Sequence, residues 1–139
     1  SGSGSRANDA DCNSEEGSSR GYVAEHNSDY IGWFSPGSGS GYTTLASSGY
    51  AYPKHVAMFN GELIVVSRDD RTVHRYSPSS LAHLGSFGVE GSVGQGVATD
   101  GDHLYVSVWT GSGVSIKVYN TYIIYINVVS NPRLVPQIK

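Results

Sequence analysis

Two acidic clusters, Asp69-Asp70 and Asp100-Gly101-Asp102, are the first places in this chain where chemistry could reside. Neighbouring carboxylates can hold calcium or work as an acid and base pair. Neither cluster extends into the alternating oxygen ligands of a loop calcium site, and turn chemistry accounts for both without metal, because Asp caps its own turn and tolerates left-handed backbone. The aromatic residues are the second candidate. Ten Tyr, three Phe and two Trp give flat faces that suit sugar rings or a protein partner, with Trp33, Trp109, Tyr122 and Tyr125 as the candidate contact residues. Cys12 is the single cysteine, so no internal disulfide forms, and its Asp, Asn, Ser and Glu surroundings do not activate a thiol. It reads as an unreactive thiol or a bridge to another chain. No phosphate-cradling loop and no Cys/His pair with nucleophile spacing is present, and no cofactor is implied.

Bulk composition narrows the partners. Nine Lys and Arg, scattered singly in a chain of net charge −3, offer no footprint for a phosphate backbone, which argues against nucleic acid. The most apolar run, Tyr122 to Val129, contains Asn127 and is far short of the roughly 20 residues of a membrane-spanning helix. Charged residues make up 15% of the chain while Ser, Gly and Tyr abound, a profile that suits turns and pleated surfaces rather than helices.

These residues must be positioned by a repeat. The segment from Gly21 to Pro36 lies without a gap over Leu63 to Pro78 at an offset of 42, and both copies end in aromatic-Ser-Pro. Val56-Ala57 followed by Leu63 and Val65 recurs as Val97-Ala98 followed by Leu104 and Val106 at an offset of 41. With two extra loop residues, Thr72 to Tyr76 falls on Ser115 to Tyr119. Each unit reads as four short strands: His55 to Met58, Leu63 to Ser67, Thr72 to Tyr76 and Leu81 to Phe87 in the second, with Tyr122 to Val129 as the fourth strand of the third. The first unit begins at its second strand. Asn60-Gly61 is a hairpin signal that the third unit repeats as Asp100-Gly101, and no helical periodicity is present. Phe34, Tyr76 and Tyr119 share one repeat position and are expected to pack between units, whereas Trp109, placed in a turn, is expected to be exposed.

Four strands with a period near 42 is the spacing of a propeller blade. The phrase from Pro53 to Tyr76 resembles an NHL-type β-propeller repeat: Pro, Val-Ala, a turn, Gly-x-Leu-x-Val, a polar pair, then an Arg and an aromatic. The resemblance implies an all-β fold of antiparallel four-stranded blades. The third unit departs from it at Gln95-Gly96 and Val108-Trp109. Among NHL-like proteins, amidating lyases hold zinc through His at blade entries, so the resemblance makes His55 a weak zinc candidate. A catalytic zinc needs about three converging ligands. His26, His74, His83 and His103 occupy unlike positions in their units and are not expected to converge with it.

The expected organisation is a flexible Ser/Gly-rich segment over 1–12, blades over 13–52 (partial), 53–93 and 94–130, and a tail over 131–139. Propellers close with about four to eight blades, so three form an incomplete ring that needs further polypeptide. The reading is a non-enzymatic, extracellular or cell-surface module that acts by self-assembly with other copies or by docking another protein. The alternatives are a lectin completed by oligomerisation, with glycans on its aromatic residues, and a fragment of a zinc-dependent amidating-lyase-like propeller.

Overall fold

The computed structural model describes residues 7–13, 20–25, 30–35, 43–46, 53–89, 93–123 and 125–130. They form strands β1 (Ala7–Asn13), β2 (Arg20–Glu25), β3 (Tyr30–Phe34), β4 (Thr43–Ala46), β5 (Pro53–Phe59), β6 (Glu62–Ser67), β7 (Thr72–Tyr76) and β8 (His83–Gly88). The last four are β9 (Val93–Thr99), β10 (Leu104–Trp109), β11 (Val114–Tyr119) and β12 (Tyr125–Ser130). No helix occurs among the described residues. Every sheet is a four-stranded antiparallel meander of consecutive strands, β1 to β4, β5 to β8 and β9 to β12. The all-β, blade-like fold read from the repeat is therefore the fold observed.

The reason the sheets stack lies in β6. Side chains alternate across a strand, yet Leu63, Ile64, Val65 and Val66 are all fully buried. Leu63 and Val65 join Tyr22, Ala24 and Ile31 of the first sheet, together with Val56, Tyr76 and Leu81. Ile64 and Val66 point the other way and join Val97, Leu104, Val106, Val108 and Tyr119 of the third. The middle sheet is thus apolar on both faces because it is covered on both. Each such side chain contributes on the order of 1.5–3 kcal/mol by leaving water.

Polar contacts fix the stacking angle. Tyr22 Oη donates to the Pro78 carbonyl at 2.8 Å, and Arg20 Nη1 donates to the carbonyls of Pro78 and Ser79 at 3.0 and 2.8 Å. The Arg20 guanidinium also lies 4.0 Å from the Trp33 ring centre. Between the second and third sheets, Asn60 Nδ2 donates to the Thr121 carbonyl at 2.9 Å and Lys117 Nζ to the Val89 carbonyl at 3.2 Å. In both interfaces a donor from one sheet meets the loop between the third and fourth strands of the next. These loops also supply an apolar plug in left-handed backbone, Leu81 at φ 61° and Ile123 at φ 59°, each packed in its inter-sheet core. Bulky residues there carry strain, and the packing offsets it.

Several expectations are corrected. The opening strand of the first unit, left out of the sequence reading, is present as β1; residues 1–5, with their linker-like composition, lie outside the described residues. The final strand starts at Tyr125 rather than Tyr122, because Asn120 turns the chain: its side chain accepts from Tyr122 N at 2.9 Å and its carbonyl from Ile123 N at 2.8 Å. Tyr122 is consequently 82% exposed, not buried in a strand. The expected burial of the rest of that run falls on side chains outside the described set. Trp109 ends β10 instead of sitting in a turn. Asn60-Gly61 has positive φ at both positions, 52° and 74°, as a type I′ hairpin requires. Asp100-Gly101 does not repeat that device: only Gly101 is left-handed, and Asp100 Oδ1 accepts from Asp102 N and His103 N to build an Asx turn.

Adjacent residues that face opposite cores give a direct check. Leu63→Ala and Ile64→Ala are each expected to cost about 2–5 kcal/mol in urea unfolding, whereas Leu84→Ala, on a half-exposed side chain, is expected to stay within about 0.5 kcal/mol. A sheet covered on one face only would show a large effect for just one of the first pair.

Candidate functional site

The outer face of the third sheet is a candidate surface, because among the described residues it is less covered than the equivalent face of the second sheet. Strand β10 alternates, with Leu104, Val106 and Val108 buried against the second sheet and Tyr105, Ser107 and Trp109 facing away. Register places Tyr105 opposite Val118, Ser107 opposite Ile116 and Trp109 opposite Val114, so these six share the outward face. Trp109 is 48% and Val114 38% exposed. Tyr105, Ser107 and Ile116 are half-buried, whereas their counterparts in the second unit, Ile64, Val66 and Val73, are fully buried in the core shared with the third sheet; Trp109 and Val114 fall on the half-buried Arg68 and the exposed Arg71. A position that the repeat uses for inter-sheet packing is therefore less covered here, and it carries a larger, more amphipathic set of side chains.

At one edge of this face Tyr105 Oη donates to Asp100 Oδ2 at 2.6 Å. That hydroxyl, followed by the Asp102 and His103 backbone N–H groups, holds the Asp100 carboxyl well below the usual carboxylate range, and the same bond raises the Tyr105 hydroxyl. Asp100 thus serves its own turn and a neighbouring tyrosine. Asp70 behaves likewise, accepting from Thr72 N at 3.1 Å.

A second cluster sits in the middle sheet. His74, buried on β7, places Nε2 3.0 Å from Asp70 Oδ2 and Nδ1 3.0 Å from His83 Nε2 on β8. The ring centres of the two histidines are 5.2 Å apart, close to the nitrogen separation plus two ring radii, so the nitrogens point at each other across a shared proton. Two lone pairs so aligned do not converge on a third point, as metal ligands must. Burial pushes His74 below its ordinary value, Asp70 pulls it up through its hydrogen bond and charge, and His83 pushes it down. Burial prevails, so a neutral His74 donates Nε2–H to Asp70 and accepts Nε2–H from His83. Sequence reasoning separated these histidines because it compared positions between units. Within one unit β7 and β8 are neighbours, with Tyr76 opposite His83, and that pairing was the available signal.

The remaining sequence candidates scatter. Trp33, half-buried under Arg20, packs against the core between the first and second sheets, on a different surface from Trp109. Tyr122 projects from the turn before β12. Tyr125 opens β12 opposite Tyr119, and Cys12 lies in β1 opposite Gly21; neither side chain is among those described. Tyr76 and Tyr119 are buried in successive inter-sheet cores, and the Phe34 ring occupies the space where Gly21 lacks a side chain. His55 on β5 faces β9, its Nδ1 accepting from Val97 N at 3.4 Å. Among the described residues no group of three or more His, Cys, Asp or Glu could hold a metal ion, and no helix is long and apolar enough to cross a membrane.

No family model matches the chain, and a comparison with characterised proteins finds no similar sequence. Solved structures do resemble it. The structure of U3-55K superposes with a TM-score of 0.67 at 18% identity, covering 79% of this chain and 35% of that one. The RRP9 WD40 repeats give 0.66 at 16% identity, covering 90% and 43%. Hydrazine synthase of Kuenenia stuttgartiensis gives 0.73 at 15% identity, covering 90% and 36%. These likenesses show a β-propeller fold, and the chain spans well under half the length of each of the three.

The buried histidine predicts acid sensitivity. An unfolded histidine titrates near its ordinary 6.5, and folded His74 titrates lower, so acid favours the unfolded chain. The contribution is intact above 6.5 and is lost as pH falls from there through the lowered folded value. Urea unfolding at pH 7.5 and 5 should show a stability loss that is smaller in His74→Gln; equal losses in both proteins would contradict the assignment.

Proposed function

We propose that this chain is a non-enzymatic contact module of β-propeller type, which docks polypeptide on the outer face of its third sheet. The observation that carries the reading is the repeat position filled by Tyr105, Ser107 and Ile116: its equivalents Ile64, Val66 and Val73 are fully buried in an inter-sheet core, and here the three side chains are only half-buried. Aromatic residues at such a face suit protein contact, since Tyr and Trp add large area with few rotatable bonds. The NHL-like phrase also supports assigning the second blade to that type, because Pro53 opens β5, Gly61 is left-handed, and Leu63 and Val65 fill the core. Low charge and the Ser, Gly and Tyr bias support an extracellular or cell-surface setting.

A photo-crosslinking residue at position 114, used in extract of the source organism, is expected to yield polypeptide adducts that Ile116→Arg reduces roughly 30-fold or more. The same residue at position 102, in the Asp100 loop, should yield none. Adducts that ignore Ile116→Arg would sink the reading. Glycan binding lost on Trp109→Ala would replace it with the lectin alternative.

A further inference from the structure

The bonds that run from Asp70 through His74 to His83 hold a fixed number of protons. Asp70 is pinned in the turn before β7, its Oδ1 accepting from Thr72 N at 3.1 Å and its carbonyl from Thr72 Oγ1 at 2.8 Å. Its Oδ2 keeps a proton on His74 Nε2, 3.0 Å away, which leaves His74 Nδ1 to meet His83 Nε2 at 3.0 Å. One proton sits between those two nitrogens, whichever ring owns it. One added proton goes to Nδ1 of His83, on an exposed side chain, and the bond survives. A second added proton breaks it: two N–H groups would face each other at 3.0 Å, with positive charge on rings 5.2 Å apart.

What this bond secures is a short stretch of an edge strand, since β8 pairs only with β7. Leu81, just before β8, is buried in the core shared with the first sheet. At the other end Phe87 meets Tyr119 with ring centres 4.8 Å apart, and the fully buried Val89 donates its N–H to the Arg71 carbonyl at 3.0 Å. Between these anchors Ala82, Leu84 and Ser86 are exposed, Gly85 brings no side chain, and His83 crosses to His74. The pairing register also shifts between Arg75 and Tyr76, beside His83.

We propose that residues 82–86 form an acid-released strap: when both histidines carry charge, the stretch lifts from the edge of β7 while Leu81 and Phe87 stay seated. The surroundings leave the decision to this pair. Val65 on β6 and Ser86 on β8 lie opposite His74, and Tyr76 lies opposite His83. Arg75 is bound to Glu62 on the other face of the sheet, and Arg20 of the first sheet is committed to the Pro78 and Ser79 carbonyls. Among the described residues, Asp70 and His83 are the charges that act on His74.

The direction follows from proton counting. A histidine released to water titrates near its ordinary 6.5, whereas burial holds His74 lower in the closed strap, so the open form binds one proton more below that pH. The strap is indifferent to pH above 6.5. Below it, one proton of linkage raises the opening equilibrium about tenfold per pH unit. What opens is the outer edge of β7, whose backbone groups β8 otherwise covers.

Amide hydrogen exchange of the full chain at pH 7.5 and 5, with rates corrected for the intrinsic effect of pH, tests the strap. Protection over 83–86 should lie below that of β6 at both pH values and fall roughly 10-fold or more in acid. His83→Gln should abolish that fall, because Gln offers a donor and an acceptor and so suits either form of His74. Three results overturn the proposal: protection over 83–86 unchanged by acid, the same fall in His83→Gln, or exchange of 83–86 at the rate of β6 at both pH values, which means that the stretch opens only with the whole stack.

Discussion

A β-sheet with two apolar faces has no stable existence alone, and the middle sheet of this chain is such a sheet. Leu63 and Val65 require the first sheet, Ile64 and Val66 require the third. Everything else follows from satisfying both faces at once: the meander topology that keeps each blade local, the loops that push Leu81 and Ile123 into the cores, and the hydroxyl and amide donors that clasp the next sheet's loop. The terminal sheets inherit the same residue positions. On the third, the position that would meet a neighbour is only half-buried, and among the described residues that is the feature from which the functional reading grows.

The polar groups are mostly absorbed by the backbone. Asp70 and Asp100, the residues most suggestive of chemistry, spend their oxygens on turn N–H groups and on neighbouring side chains, His74 for Asp70, Tyr105 and His103 for Asp100. The His74 and His83 pair is likewise directed inward, joining two strands of one blade through a shared proton. Strand β8 buries little apolar surface, with only Phe87 packed against a core, so this polar link adds to the backbone ladder that holds it to β7. It belongs to the architecture of the blade.

Most of the fold was legible because the repeat is written in core and turn residues. The offset of 42 aligns Tyr22 with Ile64 and Ile31 with Val73, pairs that perform the same packing in successive sheets. What could not be read was governed by single residues acting locally. Asn120 turns the chain within an apolar run that has the composition of a strand. Ala7 to Asn13 pairs as β1 although Asp, Asn and a small residue at nearly every position disfavour a strand, because β2 offers it an edge. For the candidate face, Trp109 was recognisable as exposed, yet its partners Tyr105, Val114, Ile116 and Val118 emerge only from the register of β10 and β11. Trp33, of the same residue type, faces a core, and residue type alone does not separate the two.

Amide hydrogen exchange resolved by segment tests the account at its centre, since amides of a doubly covered strand open only when the stack itself comes apart. The account predicts that β6 exchanges most slowly in the chain, at the rate of global unfolding, while β8 exchanges far faster by local opening. Exchange of β6 as fast as β8 would contradict the stacked arrangement on which the docking face depends.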